Sequence, residues 1–314
     1  MSRRSFTPKS RLLRQEHYRW MREGVPNFDD RIFEHVKELE IIAKRDVKWV
    51  SPTAPVMKAL EEMSSSYRAL VVQSSGVFQG LVTTMSAVNY LGGGELFNIV
   101  ARRHDYDLYS ALYNEPVESI TVKNPVVIYV DEGIKEALVR MVVYGAGILP
   151  VLNYDETVYG ILTEHDLLKY LSGLASSGLK VKDYMSSPVV TIESGASIKK
   201  AMETMVKYGF RRLPVVEDDS VVGLVTSIDI VRAFGTHQLF EKATSRDIRE
   251  VISVPVNEVM VTNVATIKPE DDIAQAASTM LSKNVSSLLV VDDEGVLQGI
   301  ITERDVLYSI LAPK

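Results

Sequence analysis

Residues 223–229 read Gly-Leu-Val-Thr-Ser-Ile-Asp, and this stretch decides the fold because the chain contains three other versions of it. The other versions are Gly-Leu-Val-Thr-Thr-Met-Ser at 80–86, Gly-Ile-Leu-Thr-Glu-His-Asp at 160–166 and Gly-Ile-Ile-Thr-Glu-Arg-Asp at 299–305. Three copies end in Thr-x-x-Asp, and the first has Ser86 in place of the acid. Recurrence at a fixed place in a repeating pattern indicates a duplicated structural unit.

The same pattern of elements surrounds each copy. Apolar residues precede it at the i, i+3, i+4, i+7 spacing of an amphipathic helix. These stripes are Val56, Ala59, Leu60, Met63; Ile134, Ala137, Leu138, Met141; Ile198, Ala201, Met202, Met205; and Ile273, Ala276, Ala277, Met280. A β-rich run, a polar turn and the strand that carries the motif glycine follow each helix, which predicts a hairpin. A lead-in strand such as 188–192 and a helix after Thr-x-x-Asp complete the unit. The sequence therefore predicts an α+β fold of four strand-helix-strand-strand-helix units.

Composition places the chain among globular proteins, with 314 residues, 46% of them hydrophobic and 24% charged. Its apolar runs are much shorter than the roughly 18 residues of a membrane span, and no signal-peptide pattern opens the chain. We therefore expect a cytoplasmic protein without a membrane partner. The absence of cysteine excludes disulfides and Cys-ligated metals. The scattered histidines have no zinc-site spacing, so no metal site is predicted.

The first 25 residues form a basic arm on an acidic chain. They contain seven Arg or Lys, whereas the whole chain has a net charge of −6. This arm either contacts nucleic acid or an anionic partner through residues 1–25, or is simply a solvated tail.

A unit of this length buries little core by itself, so the units are expected to pair. The links predict a basic extension at 1–44, a first pair at 45–175 with units 45–104 and 115–173, and a second pair at 176–314 with units 179–236 and 254–313. The repeated motif, together with residues 211–216 (Arg-Arg-Leu-Pro-Val-Val), resembles the cystathionine-β-synthase (CBS) domain. That family consists of regulatory modules that pair into a disc. The resemblance covers about residues 45 to 314.

Thr-x-x-Asp has two compatible interpretations. It is close to a capping box, in which Thr226 and Asp229 would only begin a helix. A hydroxyl, free amides and a carboxylate at a helix N-terminus can also bind phosphate and a ribose diol. The neighbouring Arg211 and Arg212 favour ligand binding, since a helix cap needs no arginine.

The family resemblance implies adenine nucleotides in the clefts between paired units. Aspartates would bind ribose, threonines and arginines would contact phosphate, and adenine would lie against lead-in strands of the partner unit. The implied residues are Asp166, Asp229 and Asp305 for ribose; Thr163, Thr226 and Thr302 with Arg211, Arg212 and Arg304 for phosphate; and Val190 and Ala265 beside adenine, for the sites built on Asp305 and Asp229 respectively. Arg304 has the alternative of being a solvated helix residue.

The four copies predict unequal sites. Ser86 cannot bind a diol as a carboxylate does, so that site is expected to be empty, altered or structural. Unit 2 has Gly147 and Ile148 at the positions of Arg211 and Arg212, which predicts a less charged ligand or none. The second pair is therefore expected to be the principal site.

We predict a stand-alone regulatory protein rather than an enzyme. Its ligand would contain adenosine, with AMP, ADP or ATP favoured and S-adenosylmethionine or NAD as alternatives. Occupancy would be passed to a separate regulated protein, because no catalytic domain is evident in the sequence. A nucleic-acid-associated regulator that uses the basic arm is the alternative, and catalysis is disfavoured by the lack of a recognisable catalytic constellation. The resemblance also suggests a homodimer, although two pairs in one chain could form the disc internally.

Overall fold

The computed structural model describes residues 37–65, 68–175, 178–218 and 220–311. The basic arm of residues 1–25 lies outside these ranges. Four three-stranded sheets are present in them, one in each predicted unit, and the predicted α+β repeat is confirmed. We number the units 1 to 4 in chain order.

The strands fall into sets of three, one set for each unit. They are β1 Trp49–Val50, β2 Ala69–Ser74 and β3 Val77–Thr83; β4 Ile128–Tyr129, β5 Ile148–Leu152 and β6 Val158–Thr163; β7 Ile192–Glu193, β8 Arg212–Glu217 and β9 Ser220–Thr226; and β10 Thr266–Ile267, β11 Ser287–Val291 and β12 Leu297–Thr302.

Each unit has one helix before its hairpin and one after it. In unit 1 and its lead-in these are α1 Glu38–Ile42, α2 Val56–Ser64 and α3 Thr84–Val88; two helices, α4 Phe97–His104 and α5 Leu108–Tyr113, lie between units 1 and 2. The remaining helices are α6 Ile134–Val142 and α7 Glu164–Leu171; α8 Val181–Tyr184, α9 Ile198–Tyr208 and α10 Ser227–Gly235; and α11 Ile248–Val251, α12 Ile273–Ser282 and α13 Glu303–Leu311.

All four sheets have the same topology. The short lead-in strand pairs parallel to the first hairpin strand, as Ile192 does with Val215, and the hairpin strands pair antiparallel. The lead-in strand is shorter than predicted, since residues 188–191 are outside the ladder and only Ile192–Glu193 pair. The reason is that Ser186, just before this segment, pairs with Ile300 of unit 4.

Lead-in segments cross from each unit to its partner. Isolated backbone bridges join them to the strand that carries the motif glycine: Lys44 with Ile161, Val122 with Leu81, Ser186 with Ile300 and Val261 with Leu224. Unit 1 therefore exchanges lead-in segments with unit 2, and unit 3 exchanges them with unit 4.

This crossing explains the glycine of the repeated motif. A Cβ at Gly80 would lie 2.4 Å from the Val122 carbonyl oxygen, and one at Gly160 would lie 2.8 Å from that of Lys44. At Gly223 the obstacle is Met260 Sδ, at 2.6 Å. Any larger residue would push the partner's lead-in segment away from the strand.

Two hydrophobic cores connect the pairs to each other. One core combines helices and strands of units 1 and 3, and the other combines those of units 2 and 4. Helices α2 and α10 lie so close that a Cβ at Gly235 would be 2.3 Å from the Leu60 carbonyl oxygen. Each unit therefore contacts one neighbour through its lead-in segment and another through its helices.

Candidate functional site

The Thr-x-x-Asp motifs form the start of the last helix in each unit. In units 2, 3 and 4 one carboxylate oxygen of the aspartate accepts hydrogen bonds from both the backbone N–H and the hydroxyl of the threonine. These distances are 3.0 and 2.6 Å for Thr163 and Asp166, 2.9 and 2.5 Å for Thr226 and Asp229, and 2.7 and 2.6 Å for Thr302 and Asp305. In unit 1 the Thr83 N–H donates to Ser86 Oγ at 3.0 Å. Ser86 thus maintains the cap without a carboxylate, and the reciprocal capping box is confirmed in units 1, 2 and 3.

A second repeated contact places one residue beside each helix start. The first N–H of the last helix donates to the carbonyl of the residue just before the hairpin. The pairs are Thr84 to Arg68 at 3.1 Å, Glu164 to Gly147 at 3.3 Å, Ser227 to Arg211 at 2.9 Å and Glu303 to Ser286 at 3.2 Å. The residue type at this position therefore sets the charge next to the helix N-terminus.

Glu164, which begins helix α7 of unit 2, is a buried acid that pairs with two arginines. It is 3% exposed, and its carboxylate receives Arg304 Nε at 2.5 Å and Arg211 Nη2 at 3.1 Å. Burial alone would raise the pKa of Glu164, but the charges of Arg304 and Arg211 outweigh it and hold that pKa at about 2. The side chain is therefore ionised at neutral pH and connects unit 2 to units 3 and 4.

Arg212 lies between the two units of the second pair. Its guanidinium donates from Nη1 to the Ser286 carbonyl at 2.7 Å and from Nη2 to Ser286 Oγ at 3.2 Å. Burial, with a smaller contribution from the charge of Arg211, lowers the pKa of Arg212 to about 9. A desolvated cation that hydrogen-bonds only to neutral oxygens is stabilised by an incoming anion.

Glu303, which begins the last helix of unit 4, is the counterpart of Glu164. It is 1% exposed and contacts His165 Nδ1 at 2.6 Å and Arg68 Nη1 at 3.8 Å. These contacts bring unit 1 and unit 2 side chains to the start of a unit 4 helix. All four units thus contribute to one charged centre.

The charges at this centre do not balance. Four arginines from units 1, 3 and 4 face only two carboxylates within the described residues: Arg68, Arg211, Arg212 and Arg304 against Glu164 and Glu303. Guanidinium groups match phosphate oxygens in shape and charge. Helix N-termini add positive potential at the same place. The arrangement is chemically suited to an anion that carries several oxygens.

The aspartates assigned to ribose are mostly buried and differ in their partners. Asp229 is 7% exposed, and its second carboxylate oxygen contacts Arg232 Nη1 at 3.1 Å. The corresponding oxygen of Asp166 contacts Lys44 Nζ at 2.9 Å. Lys44 comes from the lead-in segment of unit 1, so a ribose at Asp166 would compete with an ammonium group.

The two residues assigned to adenine lie on lead-in segments of the second pair. Val190 follows Ser186, whose backbone pairs with the strand that ends at Thr302. Ala265 follows Val261, which pairs with the strand that ends at Thr226, and its carbonyl accepts from Leu289 N–H at 3.0 Å. These two assignments, like those of the threonines, aspartates and arginines, stay predictions.

Four residues of the centre were not predicted from the sequence: Arg68, Glu164, His165 and Glu303. Glu164 and Glu303 occupy the variable position immediately after the motif threonine, where units 1 and 3 have Thr84 and Ser227. Comparison of the residue after the motif threonine in the four copies would have revealed a carboxylate in two units and a hydroxyl in the other two.

No group of three or more Asp, Glu or His side chains that could hold a metal ion occurs in residues 37–65, 68–175, 178–218 and 220–311. In the same part of the chain, every helix is too short or too polar to cross a membrane.

Comparison with known proteins identifies the family. Four segments match the CBS domain, at residues 36–93, 117–173, 181–236 and 256–312. This chain therefore belongs to the CBS-domain family, as the repeated motif suggested.

The chain is similar to several known proteins. Protein MJ1225 of Methanocaldococcus jannaschii is 31% identical over 275 residues, which cover 87% of this chain and 98% of that protein. Its crystal structure matches 85% of this chain with a TM-score of 0.81, and it is described as a candidate archaeal homologue of g-AMPK. A 33.4 kDa protein of a Thermofilum pendens ribosomal RNA operon is 30% identical and covers 76% of this chain and 79% of that protein. The CBS pair of protein MJ0100, 30% identical, covers 40% of this chain and 91% of that pair with a TM-score of 0.35; its structure contains 5-methylthioadenosine and S-adenosyl-L-methionine.

Proposed function

We propose that this chain is a regulatory protein that binds phosphorylated adenosine ligands, of the AMP, ADP or ATP type, in its second pair of CBS units. Asp229 and Asp305 would bind ribose, and Arg211 and Arg212 would bind phosphate. Occupancy would be passed to a separate regulated protein through a change in how the units contact one another. S-adenosylmethionine and NAD are alternative ligands.

The observation that supports this proposal is the excess of arginine at the centre of the molecule. Arg212 is desolvated and has only neutral acceptors from Ser286. Burial of a cation is unfavourable, the charges of Glu303 and Glu164 offset only part of this cost for Arg212, and a ligand phosphate would supply further negative charge. A neutral ligand would leave this cost in place.

The surrounding groups suit the rest of a nucleotide. Thr226 and Thr302 begin helices whose N-terminal amides favour anions. One oxygen of each aspartate is engaged in the cap, and a ribose hydroxyl would bind the other carboxylate oxygen in competition with its present contacts, which are Arg232 at Asp229 and Lys44 at Asp166. Backbone groups near Val190 and Ala265 would then receive adenine from the lead-in segments. Thr163 and Asp166 would form a weaker site of the same type, with Arg304, which contacts the neighbouring Glu164, as its candidate cation for phosphate.

The position of the centre supports a regulatory role. A phosphate there would contact arginines that already connect three units, so its arrival would alter contacts between the two pairs. A relative described as a candidate homologue of g-AMPK is consistent with regulation of another protein.

Titration calorimetry tests the ligand assignment. We expect AMP, ADP and ATP to bind the purified protein, and Arg212→Met to weaken AMP binding by about tenfold or more while it changes adenosine binding far less. Arg246→Met is the matched control, because Arg246 is an exposed arginine paired with Asp107 between the units. The absence of heat with AMP, ADP, ATP, S-adenosylmethionine and NAD would refute the proposed function.

A further inference from the structure

We propose that Glu164 is a built-in competitor for the phosphate-binding arginines, and that it sets the preference of the site for phosphorylated over unphosphorylated ligands. The inference rests on the proposed function, because it concerns the same arginines. Glu164 belongs to the first pair, and the proposed second-pair site takes no ribose-binding or adenine-binding group from that pair.

The contacts of Glu164 come from the opposite pair. Its carboxylate is held by Arg211 of unit 3 and by Arg304 of unit 4, at 3.1 and 2.5 Å. A carboxylate and a phosphate present the same kind of oxygen acceptors to a guanidinium group. Glu164 therefore occupies donors that a ligand phosphate would also use.

Unit 2 provides the space that this contact needs. A Cβ at Gly147 would lie 2.3 Å from Arg211 Nη1, so a larger residue here would displace the guanidinium from this position. Arg304 also donates from Nη2 to the Gly145 carbonyl at 2.8 Å. Gly147, which stands at the position of Arg211, and Gly145 thus receive the arginines of units 3 and 4.

Helix capping alone does not require this acid. At the equivalent position units 1 and 3 have Thr84 and Ser227, which begin their helices with the same cap. Glu303 of unit 4 lies against His165 and, at longer range, Arg68. Of these four equivalent residues, Glu164 is the one whose carboxylate lies within 3.1 Å of two arginines.

Two consequences follow from competition between one anion and another. A phosphate must displace a buried carboxylate that is already well paired, so affinity for phosphorylated ligands is held below what the arginines alone would give. Adenosine takes no arginine from Glu164 and escapes this cost. Displacement also separates Arg211 and Arg304 from unit 2, which connects ligand binding in the second pair to the first.

The experiment compares Glu164→Gln with the wild-type chain, by calorimetry with adenosine, AMP and inorganic pyrophosphate. Glutamine keeps the size of the side chain and removes its charge. We expect at least about tenfold tighter binding of AMP and pyrophosphate, and adenosine binding within about twofold. Glu132→Gln is the matched control, since Glu132 pairs with Arg140 inside unit 2, and it should leave all three affinities unchanged.

Unchanged or weaker AMP and pyrophosphate binding in Glu164→Gln, or an equal gain for adenosine, would overturn the inference. Should Glu164→Gln not fold, Glu164→Asp replaces it. Aspartate keeps the charge but is one methylene shorter, so the affinity for pyrophosphate should rise in the same direction by a smaller factor. No rise in that variant would equally overturn the inference.

The pyrophosphate measurement separates this inference from the proposed function. Pyrophosphate needs the arginines but no adenine or ribose groups. Binding of pyrophosphate that tightens in Glu164→Gln, with no binding of any adenosine ligand, would reject the nucleotide function and keep the competitor. AMP binding that is unchanged by Glu164→Gln would support the nucleotide function and reject Glu164 as a competitor.

Discussion

Units 1 and 3 contact each other through helices equivalent to those that join units 2 and 4, but the two contacts differ in charge. At the first residue of the last helix, units 1 and 3 have a buried hydroxyl pair, with Thr84 Oγ1 2.8 Å from Ser227 Oγ. Units 2 and 4 have Glu164 and Glu303 at those positions, surrounded by arginines and His165. One contact is neutral and closely packed, and the other is charged.

This difference suggests a division of roles between the two contacts. A neutral contact gains nothing from an anion and is suited to hold the pairs together under all conditions. A charged contact changes when a phosphate competes for its arginines. The molecule would therefore respond to ligand on the side of units 2 and 4 while the side of units 1 and 3 stays closed.

The largest expected effect on stability comes from a substitution that disrupts the neutral contact between units 1 and 3. Valine at Gly235 would place its Cβ 2.3 Å from the Leu60 carbonyl oxygen, so helices α2 and α10 would have to separate. We expect Gly235→Val to lower the free energy of unfolding by about 3–5 kcal/mol, measured by urea denaturation. Gly195→Ala is the control, because no atom lies within 4 Å of its added Cβ. A loss below about 1 kcal/mol for Gly235→Val would show that this contact can open easily.

Acid should weaken the charged contact. The pKa of Glu164 is about 2 in the folded chain and 4.5, the ordinary glutamate value, in the unfolded chain, so its stabilisation is complete above pH 4.5 and is lost as the pH falls toward 2. Between pH 6 and pH 3 the free energy of unfolding of the wild-type protein should therefore fall by on the order of 2 kcal/mol more than that of Glu164→Gln. Urea denaturation of both proteins at each pH measures this difference. Parallel pH profiles would indicate that the Glu164 contact does not stabilise the fold.

A milder test concerns the hydroxyl pair. Thr84→Val or Ser227→Ala alone leaves a buried hydroxyl without its partner and should cost about 1–2 kcal/mol. The double variant removes both groups and should cost less than the sum of the two single changes. AMP affinity should be within twofold of wild type in all three variants. A large change in AMP affinity would contradict the assignment of this contact to packing alone.

The comparison also shows what could be predicted from the sequence. The helices, hairpins and caps were predictable because they depend on local periodicity and on residues a few positions apart, as in Thr226 and Asp229. The contact of Arg211 with Glu164 joins residues 47 positions apart in different pairs, and no local pattern specifies such a contact. Glu164 was overlooked because it occupies a variable position of the motif. The motif glycines are visible in the sequence as a repeat. The structure was needed to show why glycine is required there, which is that the lead-in segment of the partner unit crosses at each of them.

The smallest expected effect distinguishes the Asp166 site from the Asp229 and Asp305 sites. Lys44 contacts Asp166 at 2.9 Å, but its side chain is 60% exposed, and such ion pairs contribute under about 1 kcal/mol. The equivalent lead-in residues of units 2, 3 and 4 are Val122, Ser186 and Val261, none of which is charged. Lys44→Met retains most of the apolar stem and frees the carboxylate, so adenosine should bind at Asp166 up to about fivefold more tightly.

Calorimetry with adenosine measures this gain in a chain that also carries Asp229→Asn and Asp305→Asn, so that Asp166 is the one ribose carboxylate left. Lys58→Met is the control, because Lys58 forms a similarly exposed ion pair with Glu62 on helix α2. Weaker adenosine binding in Lys44→Met would show that Lys44 contacts the ligand rather than competing with it. In that case the Asp166 site would differ from the second pair in the source of its cation, which would come from the lead-in segment instead of the position before the hairpin.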